Sequence, residues 1–225
     1  MKLYLIRHAE SENNAKPIYQ RVEDPPLTAV GRLQAERLGE WIKTLPFDVL
    51  ITSPVLRALQ TTRRIYHRTA KHVHVWDSVF EEGGIYRGHG PDAVEGGPGL
   101  SRSKVIEAVT GNAEDCTLDP SIGEDGWWGR DRESPEEASA RATEVVGRLA
   151  ATYGREQRVV VAVIHADFKR KMLSELIGDE VDPKLFGPLR NTGITKLDLE
   201  GGRWQLDWFN SVSHLPAKLI TQIEW

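Results

Sequence analysis

Short unbroken apolar runs alternate along this chain with longer segments whose apolar residues recur every three or four positions. Leu3-Tyr4-Leu5-Ile6 is the first run, Val49-Leu50-Ile51 the second, and Val159-Val160-Val161-Ala162-Val163-Ile164 the longest. Runs of this length without polar alternation predict strands buried on both faces, as in the middle of a parallel sheet. Val30, Leu38, Trp41 and Ile42 fall on one side of a helix predicted over about residues 29–43, with Thr28 as its cap. Ser53-Pro54 predicts the start of a second helix, with serine at the N-cap and proline at the first helical position. Arg57 and Thr61 then share a face, one turn apart. Val73–Trp76 predicts a third strand. Ser134-Pro135-Glu136-Glu137 is a capping box that opens a helix to about Tyr153. Strand 158–164 precedes a helix from Asp167 to Ile177, and Ile194–Leu199 and Trp204–Trp208 predict two strands joined by a turn at Gly201-Gly202. This alternation predicts an α/β fold: a three-layer α/β/α sandwich, its sheet mostly parallel, with helices on both faces.

The pattern breaks between Glu82 and Ser134. Glycines crowd this stretch, Pro91, Pro98 and Pro120 interrupt it, and Ser101–Val109 is its one helical piece. It reads as a cap inserted at 83–134, over the carboxyl edge of the sheet, within a single domain spanning 1–225. A chain of 225 residues is long enough for one substantial α/β core and does not demand two domains.

Composition narrows the function classes. Hydrophobic residues at 40% and charged residues at 28% are ordinary for a globular protein. A formal net charge of −4 gives no support to nucleic-acid binding by bulk charge. Cys116 is the single cysteine, which excludes an intrachain disulfide and points to a reducing compartment. The apolar run at 2–6 is too short for a signal peptide, and no stretch reaches membrane-spanning length. These features predict a cytoplasmic protein with no membrane partner; they leave oligomeric state open.

Two histidines carry the chemistry. His8 follows the first predicted strand and His165 the strand at 158–164, and ligands bind open α/β sheets at that carboxyl edge. Arg7, beside His8, offers a fork of donors that fits phosphate. The pattern asks for a phosphoryl group held between cations and attacked by an imidazole nitrogen, available near neutral pH.

Arg7-His8-Ala9-Glu10, followed by Asn14, resembles the Arg-His-Gly/Ala signature of the histidine phosphatase superfamily, which includes the cofactor-dependent phosphoglycerate mutases. Asp24-Pro25-Pro26-Leu27-Thr28-Ala29-Val30-Gly31 and Ser53-Pro54-Val55-Leu56-Arg57-Ala58-Leu59-Gln60-Thr61 resemble two further family segments, and His165 and Asn191-Thr192-Gly193-Ile194-Thr195 fit its C-terminal half. The matches are colinear from residue 1 to about residue 199. The resemblance implies a phosphatase that hydrolyses a small phosphate monoester through a phosphohistidine on His8. It implies that Arg7, Asn14, Arg57, His165 and Ala166 bind the phosphoryl group and that Glu81 is the proton donor, with Glu82 adjacent to it. No metal and no cofactor is implied. Ala166 stands where the usual pattern has glycine, and is small enough to keep the backbone near phosphate. Asp167 is expected to cap the following helix.

Two other functions compete. A phosphoglycerate mutase shares the first half-reaction but returns the phosphoryl group. The mutases carry tryptophan where this chain has Asn13, and Glu-Arg-x-Tyr-Gly where it has Glu81-Glu82-Gly83-Gly84-Ile85-Tyr86; both departures count against that activity. A catalytically inactive phospho-ligand-binding module is opposed by the retained His8, Arg7, Arg57, His165 and acid. Elsewhere, His72-Val73-His74 offers two imidazoles on one strand face without a third ligand. Trp127-Trp128, near Arg130 and Arg132, fits either a substrate lid or an anchor for the insertion.

Overall fold

A computed structural model describes residues 1–88, 93–178 and 183–221. Among the described residues seven strands form one sheet in the order β4-β3-β2-β5-β1-β6-β7. They are β1 (Lys2–Arg7), β2 (Val49–Thr52), β3 (Val73–Val75), β4 (Cys116–Leu118), β5 (Val159–Ile164), β6 (Ile194–Glu200) and β7 (Arg203–Ser211). From β4 across to β1 the pairs are parallel, and β6 and β7 are added antiparallel. The helices are α1 (Glu12–Ala15), α2 (Ala29–Ile42), α3 (Leu56–Thr69), α4 (Arg102–Val109), α5 (Pro135–Tyr153) and α6 (Ala166–Ile177).

Alternation along the strands builds two cores. Val161 and Val163 of β5, with Tyr4 and Ile6 of β1, face Leu38 and Ile42 of α2, Leu59 of α3 and Val105 of α4. Val160, Ala162 and Ile164, with Leu3 and Leu5, face Val145 and Leu149 of α5 and Phe168, Met172 and Leu173 of α6. Three helices on one face and two on the other give the expected three-layer sandwich.

The structure differs from the sequence expectations at three places. Residues 83–134 are not uniform cover: α4 packs within the first core and β4 extends the sheet beside β3, although residues 89–92 lie outside the described ones. Ser53 does not cap α3, which starts at Leu56 with Val55 as N-cap. The cap comes instead from Asp24, whose carboxylate accepts the Leu56 N–H at 3.0 and 3.2 Å. Asp167 sits in the first turn of α6 rather than at its cap, a position held by His165 without a side-chain bond.

Gly31 explains one signature segment. A Cβ there would meet the Glu10 carbonyl oxygen at 1.9 Å, so only glycine lets the first turn of α2 lie against the loop after β1. Thr28 caps that turn through the Gly31 N–H at 2.9 Å, and its own N–H donates to the Glu10 carbonyl at 3.0 Å.

Candidate active site

Register places the two histidines. Arg7 at the end of β1 stands opposite Ile164 at the end of β5, so the next residue of each strand, His8 and His165, emerges at the same point of the carboxyl edge. Their ring centroids lie 5.1 Å apart. Thr52 of β2 pairs with Val163, which brings Ser53 alongside. The Ser53 hydroxyl lies 2.9 Å from His165 Nε2 and accepts the Val55 N–H at 3.3 Å, one residue before α3 begins.

His8 has a defined tautomer. Its Nδ1 lies 2.7 Å from the Ala9 carbonyl oxygen, which can only accept, so Nδ1 carries the hydrogen and Nε2 the lone pair. Arg57 Nε donates to that lone pair at 3.1 Å. Burial, and then the Arg57 and Arg7 charges, push the His8 pKa well below the usual histidine value, so the ring is neutral at physiological pH. The same causes, burial first and then Arg57, keep His165 neutral.

The signature residues without chemistry of their own hold this loop. Thr61 Oγ1 accepts the Ala9 N–H at 3.0 Å, and Gln60 Oε1 accepts the Leu27 N–H at 2.8 Å. Asn191 Nδ2 donates to the His8 carbonyl at 3.1 Å and to Asn14 Oδ1 at 3.3 Å. Arg7 Nη1 donates to the Leu189 carbonyl at 2.5 Å. Asp24, besides capping α3, lies 4.0 Å from Arg57 Nη1. Burial raises its pKa to about 6 although Arg57 opposes the shift, so near neutrality it is an anion steadying the guanidinium.

Glu81 also reaches this edge, where Glu82, Asp167 and Glu23 stand as well. Its Oε1 accepts the backbone N–H groups of Asp167 at 3.1 Å, Phe168 at 3.0 Å and Glu82 at 3.0 Å. Glu81 thus caps α6, the task expected of Asp167. Three donors on Oε1 leave Oε2 to carry a proton. Burial, reinforced by the Asp167 charge, raises its pKa to about 7 against the lowering by Arg57 and the backbone donors. Glu82 is half-buried, with Lys171 Nζ 3.9 Å from its Oε2.

A cavity of about 730 Å³ opens over this edge. Arg7, His8, Asn14, Arg57, Glu81 and Ala166 all lie on its wall. His165 does not; it is fully buried beneath them, and its Nδ1 has no partner among the described residues. Tyr86, Arg132 and Arg170 stand on the same wall. Trp127 and Trp128 pack against Phe80, with centroids at 5.5 and 4.7 Å, so the pair anchors the 119–134 segment to the core. His72 is bound to the Thr117 hydroxyl, and among the described residues no three His, Cys, Asp or Glu side chains come together to hold a metal. No helix of the described residues is long and apolar enough to cross a membrane.

Sequence reasoning passed over Ser53 as a ligand of His165, Asp24, Asn191, and two buried cations, Lys169 and Arg141. Lys169 is fully buried, with its Nζ 2.9 Å from the Gly193 carbonyl, and burial and then Arg7 hold its pKa well below the ordinary lysine value.

His8, two arginines and a carboxyl with a raised pKa thus share one cavity, with His165 buried directly beneath it. Residues 3–212 match the histidine phosphatase superfamily (branch 1), and the chain belongs to that family. An uncharacterized phosphatase, PhoE, of Bacillus subtilis (strain 168) is 28% identical over 212 residues, covering 94% of this chain and 95% of that protein. A probable phosphoglycerate mutase, GpmB, of Enterobacter sp. (strain 638) is 23% identical over 229 residues, covering 100% and 99%. Among solved structures, a phosphoserine phosphatase of Entamoeba histolytica in complex with phosphoserine superposes with a TM-score of 0.64 at 26% identity, over 96% of this chain and 99% of that one.

Proposed function

We propose that this protein is a phosphatase that hydrolyses a small phosphate monoester through a phosphohistidine on His8. The observation that carries the proposal is the meeting, on one cavity, of a neutral His8 with its lone pair on Nε2 and a Glu81 whose pKa is raised to about 7.

In this mechanism the incoming phosphoryl group takes over the Arg57 donors and so frees the Nε2 lone pair. Nε2 forms a bond to phosphorus while the bond to the leaving oxygen breaks opposite it, and Glu81 gives that oxygen its proton. Arg7, Arg57, Asn14 and the Ala166 N–H at the start of α6 bind the non-bridging oxygens, while His165, beneath the wall, backs the His8 ring at 5.1 Å between centroids. Glu81, now a carboxylate, takes a proton from water as the water oxygen attacks phosphorus. The nitrogen–phosphorus bond breaks, and inorganic phosphate and neutral His8 are regenerated. The flanks of the insertion serve as cap: Gly84, Tyr86, Gly88 and Arg132 lie on the cavity wall. A cytoplasmic location fits a chain whose one cysteine, Cys116, is buried and free.

Hydrolysis is favoured over mutase activity by the segment after the acid. The Gly83-Gly84 turn has positive φ at both residues, and a Cβ on Gly84 would meet the Trp128 ring at 2.3 Å. That segment is committed to packing and has no room for the bulkier residues that the mutases carry there. Release of phosphate from an artificial aryl phosphate, followed by a screen of phosphorylated metabolites, tests the proposal. No turnover of any ester would leave the binding-module reading; interconversion of phosphoglycerates without phosphate release would establish the mutase.

Arg57→Lys keeps the charge but loses the planar fork. We expect kcat/KM to fall about tenfold or more, as for loss of one charge-assisted hydrogen bond of roughly 1.5–3 kcal/mol. Steady-state kinetics check this, and wild-type values in the variant would remove Arg57 from the clamp.

A further inference from the structure

We propose that Arg141, a side chain that never reaches the cavity, is a positioning residue for Glu81, and that its ion pair with Glu133 anchors it in that task. The inference rests on Glu81 being the acid of the proposed phosphatase.

Arg141 occupies an improbable place. The buried stripe of α5 reads Ala138, Arg141, Ala142, Val145, Val146, Leu149. A cation in an apolar stripe must be paired, because burying it unpaired is far too costly. Here the pairing is nearly complete. Nε and Nη2 donate to the two carboxylate oxygens of Glu133 at 2.7 and 2.6 Å. Nη1 donates to the carbonyls of Ser78 at 2.8 Å and Phe80 at 3.1 Å. The guanidinium carbon lies 3.5 Å from the Phe80 ring centroid and 3.9 Å from that of Phe168.

Those partners flank the acid on both sides. The Phe80 carbonyl belongs to the peptide that joins Phe80 to Glu81. Phe168 supplies one of the two α6 N–H groups that hold Glu81 Oε1. The loop after β3 and the start of α6 are separate elements, and Glu81 works only if its carboxylate stays in register with both. Arg141 holds the main chain of one and the ring of the other through a single rigid planar group. A buried arginine–glutamate pair contributes little net stability compared with an apolar pair of similar volume. Geometry is what such a pair supplies here, and the geometry it fixes is that of Glu81.

The test replaces the pair by apolar side chains, Arg141→Met with Glu133→Leu, so that the fold is kept while the clamp is lost. Alkyl and aryl phosphates are compared, because an alkoxide needs its proton and a good aryl leaving group does not. We expect thermal unfolding close to wild type, KM unchanged, kcat on the alkyl ester lower by about tenfold or more, and kcat on the aryl ester lower by less than about threefold. In a Glu81→Gln background the same pair of substitutions should cost almost nothing further, since the clamp acts through Glu81. Equal losses on both esters, or a loss that persists in full in that background, would overturn the proposal while leaving Glu81 as the acid. If Glu81→Gln itself shows no leaving-group preference, the acid assignment fails and the clamp falls with it. Should the double variant not fold, Arg141→Lys, which keeps charge and loses the fork, carries the same comparison; failure of both to fold would mean that the pair holds the fold rather than the acid.

Discussion

His8→Ala is expected to abolish turnover and to remove the covalent intermediate altogether. In the proposed mechanism the nucleophilic atom is Nε2, and no neighbouring nitrogen is placed to substitute for it. His165 Nε2 faces the Ser53 hydroxyl at 2.9 Å, and its ring lies beneath the cavity wall rather than on it. Loss of a nucleophile that works as a unit with its clamp costs on the order of 10⁴-fold or more in kcat. The substitution also removes two hydrogen bonds, to the Ala9 carbonyl and from Arg57 Nε, and leaves a small void, together about 1–3 kcal/mol of stability. The variant should therefore remain folded, and unfolding curves check that independently of activity. Labelled substrate quenched with denaturant gives the direct reading. In the wild type the label should be lost in acid and kept in base, as a phosphoramidate requires, and in His8→Ala it should be absent. Label with that stability profile in His8→Ala would move the nucleophile elsewhere.

Much of this site is legible in the sequence, for a physical reason. Strands buried on both faces are recognisable as unbroken apolar runs, and their carboxyl ends are where α/β sheets place ligands, so Arg7, His8 and His165 could be named from position alone. Their juxtaposition needed one further fact, the β1–β5 register, which the runs do not encode. Strand β4 escaped because Cys116–Leu118 lies in a stretch broken by glycine and proline and holds no pair of β-branched apolar residues, whereas β3, equally short, has Val73 and Val75 on either side of His74. The Asp24 cap of α3 escaped because donor and acceptor lie 32 residues apart, and nothing local distinguishes that carboxylate from any other. A serine before proline is a common helix start, but β2 register turns the Ser53 hydroxyl to His165, and α3 begins two residues later than that pattern implies.

Arg141 and Lys169 are a different kind of miss, because the signal was present. Each interrupts an otherwise apolar helical stripe: Arg141 between Ala138 and Val145 of α5, Lys169 between Phe168 and Met172 of α6. A charge on an inward face implies a buried partner, and both partners hold the site. Glu133 anchors Arg141 behind the acid; the Gly193 carbonyl, which also accepts the Arg7 N–H at 3.3 Å, takes the Lys169 ammonium. Glu81 shows the converse. Position and an apolar flank at Val79-Phe80 favoured it over Glu82, but its second task, capping α6 in place of Asp167, depends on two elements meeting and is written in neither.

Glu81→Gln should separate esters by their leaving groups. An alkyl phosphate expels an alkoxide, which must be protonated as it departs; a nitrophenyl phosphate expels an anion already stable near neutral pH. General-acid catalysis is worth about 10²–10⁴-fold where the proton is needed. We expect a loss of that order on alkyl esters and a far smaller one on aryl esters. Water attack in the second step also uses Glu81, so some loss on aryl esters remains. The pH profile gives a second reading. Burial raises the pKa of Glu81 to about 7, and the protonated form is the active one for alkyl esters. Their kcat/KM should accordingly hold level below about pH 7 and fall by about tenfold per unit above it, as the acid loses its proton. That descending limb should vanish in Glu81→Gln. No ascending limb should appear near the ordinary histidine pKa, because His8 stays neutral well below it. Glu82→Gln should alter both esters little, its partner Lys171 lying away from the phosphoryl end. A leaving-group preference that follows Glu82 instead would shift the acid by one residue. If neither substitution shows the preference, the proton donor is another group; Glu124, bound to the Ser103 hydroxyl, and Glu95, paired with Arg87, both stand off the cavity wall and would have to move to serve.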